Sequence, residues 1–187
     1  MEQEFTLSIF TENKIGLLQR ITGVFTRRKI NIESLTTSES EVKGVYRFTI
    51  VVRTRLDLVK KVVKQIEKII GVLKAFYFEE SEIVYQEIAL YKVPTKAFAN
   101  GDDVENLIRK HNAHILTVEP EYIIIEKAGH KHETQELFEK LLPYGVLQFA
   151  RSGRVAVTKQ IREITSYLRD LEVANRHSEK EVLSITQ

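Results

Sequence analysis

Cysteine and tryptophan are absent from the 187 residues, methionine occurs once and proline three times. Without cysteine there is no disulfide scaffold, thiolate nucleophile, iron–sulfur cluster or cysteine-bound zinc, so an ordinary apolar core must hold the fold. Long apolar runs are missing too. The longest uncharged stretch, 141–150, contains Pro143, whereas a membrane span needs about 20 apolar residues. Neither sign of charge dominates: 28 Lys and Arg face 26 Asp and Glu, a formal +2, and the signs are interleaved. Composition therefore argues for neither nucleic acid nor an anionic membrane as partner. The start, Met-Glu-Gln-Glu-Phe, is acidic and leads straight into a strand pattern, unlike a secretory signal, so a cytoplasmic protein is expected.

Hydrophobic residues make up 43% of the chain, enough for one ordinary domain or two small ones. In 5–10 the residues Phe5, Leu7 and Ile9 alternate with Thr6 and Ser8, the period of a half-buried strand. Asn13 then suits a helix N-cap, with Ile15, Leu18, Ile21, Thr22 and Phe25 at helical spacing and Arg27, Arg28 and Lys29 at the cation-favouring end. A second strand opens at Ile30-Asn31-Ile32. A third, 45–53, turns Tyr46, Phe48, Ile50 and Val52 to one face. A helix with Val59, Val62, Val63, Ile66, Ile69 and Ile70 on one stripe stops at Gly71, before a strand at 72–78. Residues 4–79 thus spell βαββαβ, two helices covering one face of a four-stranded antiparallel sheet.

The order recurs. Strands are predicted at 87–93, 114–118, 121–127 and 146–150, with an extension at 155–158. One helix is expected at 102–111, capped by Gly101-Asp102, and another at 131–142, stopped by Pro143. The fold class expected is α+β, two ferredoxin-like domains at 1–80 and 81–160. Beyond them, Ile161, Ile164, Tyr167, Leu168 and Leu171 suggest a terminal helix and a frayed tail from Asn175, within 161–187.

The chemistry concentrates at Thr11-Glu-Asn-Lys-Ile-Gly-Leu-Leu18, where a strand gives way to a helix around a glycine. Glycine costs a helix about 0.5–1 kcal/mol relative to Ala, so Gly16 needs a reason. Close approach of a ligand is one, since bare main-chain N–H groups at a helix start attract a carboxylate. Asn13 adds an amide able to bind a carboxylate or an ammonium group. A plain helix cap with a packing glycine is the bland alternative, and Asn31 can equally be a turn residue.

The run from Ile9 to Phe25, followed by Arg28-Lys-Ile-Asn-Ile-Glu-Ser-Leu35, resembles the ACT domain of the small, regulatory subunit of acetolactate (acetohydroxyacid) synthase. That family typically shows Asn-x-x-Gly, a helix ending in Phe-x-x-Arg and then Asn-Ile-Glu-Ser-Leu, and the last five residues match without a gap. Glu87-Ile-Ala-Leu-Tyr-Lys-Val93 and Ala150-Arg-Ser-Gly153 resemble segments of the family's C-terminal domain, extending the likeness over 4–158. The resemblance implies a chain without its own active site or cofactor. It would bind a branched-chain amino acid, usually valine, between the ACT domains of a homodimer. It would activate and feedback-regulate a catalytic large subunit carrying thiamine diphosphate, Mg²⁺ and often FAD. Carried over, Asn13, Ile15, Gly16, Leu17 and Leu18 form one side of the effector site, and Asn31 and Ile32 line it from the partner chain. Ile15 and Leu17 flank Gly16 where family members often carry a small residue, a departure whose bulk would shrink the pocket or alter effector preference. A free-standing tandem ACT-like sensor controlling another enzyme is the alternative.

Other signals are weaker. Lys43-Gly-Val-Tyr-Arg-Phe-Thr-Ile50 places Val45 and Arg47 where an RNA-recognition strand puts aromatics. The pairs His111/His114 and His130/His132 lack a carboxylate at metal-ligand spacing. Ser152-Gly153 lacks a nucleophile elbow, and Glu12 and Glu33 read as solvated surface rather than an acid/base pair.

Overall fold

The computed structural model describes residues 1–98, 103–159, 166, 167, 169 and 170. The chain divides into two compact units, one of Met1–Val84 with the described residues that follow Val155, the other of Tyr85–Val155.

In the first unit, β1 (Gln3–Glu12), α1 (Leu17–Arg27), β2 (Ile32–Glu39), β3 (Val45–Thr54), α2 (Leu56–Ile66) and β4 (Val72–Phe78) follow in order. The antiparallel sheet runs β2-β3-β1-β4, with β1 and β3 central. Alternation sends Phe5, Leu7 and Ile9 of β1 and Phe48, Ile50 and Val52 of β3 to one face. There they meet Ile21, Val24 and Phe25 of α1 and Val59, Val62, Val63 and Ile66 of α2 in one core. Each helix buries residues spaced three or four apart, the stripe that a two-layer packing requires.

The second unit repeats the plan with β5 (Ile83–Pro94), α3 (Asp103–Lys110), β6 (His114–Val118), β7 (Tyr122–Gly129), α4 (Lys131–Leu141) and β8 (Gln148–Arg151). Its sheet runs β6-β7-β5-β8, and β9 (Val155–Thr158) also pairs with β5. Ala89, Tyr91 and Val93 of β5, Ile123 and Ile125 of β7, Val104 and Ile108 of α3 and Leu137 and Leu141 of α4 make its core. The two α+β ferredoxin-like sheets expected from periodicity are both present. Pro143 lies in the 3-10 turn Leu142–Tyr144 that follows α4, consistent with its role as a helix stop.

Four local expectations fail. Asn13 is not the N-cap of α1: Gly16 is, at φ +84, and the helix starts at Leu17. Ile15 consequently lies outside the helix and fully exposed, and the buried stripe is Leu17, Ile21, Val24 and Phe25. The turn between α1 and β2 is made by Lys29 at φ +56, not by Asn31. Finally, α2 closes at Ile66 in three-residue turns, Lys68 N–H donating to Gln65 O and Ile69 N–H to Ile66 O, which tighten its end. Ile69 still packs on the core, but Ile70 is exposed. The Gly101-Asp102 cap and Ile161, Ile164, Leu168, Leu171 and the stretch from Asn175 lie outside the described residues.

Among the described residues no helix is long and apolar enough to cross a membrane.

Candidate effector site

The candidate site begins where β1 stops. Glu12 N–H donates to Gly71 O at 2.9 Å, which ties the end of β1 to the turn before β4. The chain then leaves the sheet through Asn13, Lys14 and Ile15, all exposed. Lys14 pairs with the Glu12 carboxylate. Gly16 turns the backbone through the left-handed region, which disfavours residues with a Cβ. Open space surrounds the position its Cβ would occupy, with no atom within 4 Å. The glycine is therefore required by the backbone, and it leaves bare main chain facing outward.

The helix start is underused. No side chain among the described residues caps it. The Leu17 amide makes only a 3.4 Å contact with Lys14 O and the Arg20 amide donates to Gly16 O. Among the described residues the amides of Leu18 and Gln19 find no acceptor. Such a cluster of donors at the positive end of a helix suits an anionic group. Leu17 points inward, 2% exposed, and its Cδ1 lies 3.2 Å from where a Cβ on Gly71 would sit. The expectation that its bulk narrows a pocket is therefore corrected: Leu17 fills the core side of the turn. Ile15 and Leu18 present their apolar side chains outward instead.

Asn31 and Ile32 lie elsewhere. Ile32 pairs with Val52, and Val52 with Phe5, so the start of β2 is level with the start of β1. Phe5 and Asn13 are eight residues apart, about 27 Å along an extended strand. One chain thus places Asn13 and Asn31 at opposite ends of the sheet. The same separation parts Glu12 from Glu33, so they form no acid/base pair. Strand β2 is an edge, pairing only with β3 among the described residues.

Sequence reasoning missed Gly71, read only as a helix stop. Its positive φ of +94 and its contact with Leu17 make it the floor of the turn. Two of the histidines have partners within the fold. His130 is the N-cap of α4, its backbone N–H donating to Glu133 Oε2 at 2.6 Å. That bond holds the Glu133 carboxyl below its usual range. His111 Nε2 lies 3.1 Å from Lys140 Nζ, and burial followed by that cation lowers the ring's pKa. No group of three or more potential metal ligands gathers among the described residues. Phe48 lies in the core, and Arg47 donates to Ser8 Oγ at 2.8 Å and to Ala156 O at 2.7 Å. Neither is free to stack on a base.

A βαββαβ unit with a glycine turn before its first helix, followed by a second unit of the same topology, defines a tandem ferredoxin-like protein with an ACT-type first half. Family comparison agrees: residues 7–74 match the AHAS small subunit-like ACT domain, and residues 86–160 match the family described as small subunit of acetolactate synthase. The chain is 37% identical over 161 residues to the acetolactate synthase small subunit of Mycolicibacterium smegmatis, covering 85% of this chain and 93% of that one. It is 34% identical over 167 residues to the Bacillus subtilis acetolactate synthase small subunit, covering 89% and 95%. The crystal structure of the acetolactate synthase small subunit from Thermotoga maritima superposes with a TM-score of 0.77 at 28% identity, over 85% of this chain and 99% of that one. The chain belongs to the acetolactate synthase small-subunit family.

Proposed function

We propose that this chain is the regulatory partner of an acetolactate synthase catalytic subunit, raising its activity and making it sensitive to a branched-chain amino acid, valine foremost. The observation that carries the reading is the Gly16 turn, with open space beyond the glycine and amides of Leu18 and Gln19 that find no acceptor among the described residues. These donors suit the effector's carboxylate, the Asn13 amide oxygen can accept from its ammonium, and Ile15 and Leu18 supply apolar surface for its side chain.

The second half of the site comes from another copy. If two β2 edges pair antiparallel about a two-fold axis, the Ile32 end of one meets the Glu39 end of the other. Glu39 pairs with Tyr46, and Tyr46 with Thr11, so Asn31 and Ile32 of that copy arrive at the level of the Asn13 turn. An effector held there favours one dimer arrangement over another, and a differential affinity worth about 1–3 kcal/mol is enough to regulate. The reaction itself is assigned to the catalytic chain, which in this reading also holds thiamine diphosphate, Mg²⁺ and any FAD.

Mixing the purified chain with a catalytic subunit tests this. Acetolactate formation is expected to rise on mixing and to fall again with valine. Gly16→Asp is expected to keep the rise and abolish the fall, because it puts an anion where the carboxylate binds, while Asp tolerates the left-handed backbone better than most residues. Unchanged acetolactate formation with and without valine would contradict the reading.

A further inference from the structure

The turn that ends β1 carries charge of the opposite sign to the helix amides beside it. Glu12 folds its carboxylate back under the turn. Its Oε2 lies 3.6 Å from the point where a Cβ on Gly71 would sit, and Leu17 Cδ1 lies 3.2 Å from the same point, so the carboxylate stands close to the first residue of α1. The side chain as a whole is 43% exposed, yet Oε2 is shielded from solvent and no described donor aligns a hydrogen bond on it. Lys14, two residues on, supplies an ion pair from a side chain that is itself 58% exposed. The neighbouring Thr11 is fully buried, and its Oγ1 also lacks a hydrogen-bond partner among the described residues. Buried polar oxygens without a donor are rare in folded proteins. The Leu18 and Gln19 amides are the converse, donors without an acceptor among the described residues. One turn thus offers an acceptor for a cation and donors for an anion.

We infer that the Glu12 carboxylate receives the ammonium group of the effector, and that Lys14 is the cation it displaces. The inference rests on the effector site of the proposed function and names the group that makes that site select a zwitterion. A neutral amide such as Asn13 can meet an ammonium, a hydroxyl or a water alike. A shielded carboxylate is more exacting. A hydrogen bond to it from a charged donor is about twice as strong as a neutral one, and a ligand that brings no cation leaves Lys14 in place. Displacement itself costs little, because an exposed ion pair held by a flexible side chain contributes little. Lys14, once released, remains beside the turn where the effector's carboxylate then sits, so the exchange leaves no charge buried without a partner. An α-amino acid is therefore accepted. The 2-oxo acid with the same branched side chain and carboxylate lacks the ammonium and is turned away.

Calorimetric titration of the full chain with valine and with 3-methyl-2-oxobutanoate, its 2-oxo analogue, tests this. The unaltered chain is expected to bind valine at least about 10-fold more tightly than the oxo acid. Glu12→Gln keeps the shape of the side chain and removes its charge. It is expected to bind valine about 10-fold more weakly and the oxo acid as before, so that the preference collapses. Lys14→Ala is expected to keep the preference and to bind isobutylamine, an ammonium without a carboxylate, more tightly than the unaltered chain does, because the competing cation is gone. Valine bound equally well by Glu12→Gln and the unaltered chain overturns this inference and leaves the effector site standing. Equal losses for valine and the oxo acid in Glu12→Gln also overturn it, by assigning Glu12 to the shape of the turn alone. Isobutylamine bound no more tightly by Lys14→Ala contradicts the displacement. An unaltered chain that binds neither valine nor the oxo acid removes the effector site itself.

Discussion

Two glycines at the base of the candidate site have different jobs, and substitution should tell them apart. Gly16 has open space around the Cβ position, so Gly16→Ala meets only the cost of a left-handed backbone, about 1 kcal/mol. Gly71 has the same backbone demand, but its new methyl would press on Leu17 Cδ1 at 3.2 Å, tighter than ordinary contact. Urea unfolding is expected to show Gly71→Ala as the more destabilising, because Leu17 is pinned in the core and must shift. Equal losses would mean that the Leu17 contact relaxes freely. The contrast also explains what was legible at this scale. Asn13 and Gly16 stand out because Asn suits a helix start while a glycine costs a helix stability, so both mark the strand-to-helix junction. The role of Gly71 depends on a contact between positions 54 residues apart, which no local pattern encodes.

Among the elements, periodicity located the described β-strands and α-helices of both units, since most of them bury one stripe or at least one pleat face against the core of their own unit. It misplaced the start of α1 for a physical reason. Ile15 and Leu18 satisfy helical spacing as well as Leu17 and Ile21 do, but both apolar side chains are turned outward at the candidate site. In the proposed function these two side chains serve the effector rather than the core. Strand β5 supplies a pH test of the second unit. Tyr91 is buried, its hydroxyl donating to Thr134 O at 2.7 Å, and burial pushes its pKa up to about 12 despite the opposing influence of Arg151. The folded value lies above the unfolded value of about 10, so the stabilisation is intact below pH 10 and drains away as pH rises towards 12. Tyr91→Phe is expected to be modestly less stable at neutral pH, by about 0.5–1.5 kcal/mol. It should also show a shallower loss of stability between pH 10 and 12 in thermal melts. An unaltered alkaline limb would assign that loss to other groups.

At the scale of the whole molecule, strand register decides what one chain can do. Asn13 and Asn31 belong to one recognisable sequence pattern but sit at opposite ends of the sheet, because β2 pairs with β3 so that Ile32 lies level with Phe5. That separation follows from long-range pairing and was not legible in the sequence beyond its family resemblance. It turns the central claim into a question of which chain supplies which residue. Calorimetric titration with valine of Asn13→Ala, of Asn31→Ala and of an equal mixture of the two, allowed to exchange partners, answers it. Each variant alone is expected to bind about 5-fold to 150-fold more weakly than the unaltered chain. A mixed dimer joins both substitutions in one site and leaves the other site intact, so the mixture should recover high-affinity binding at about a quarter of its sites. A mixture no better than its components would contradict a site shared between two copies.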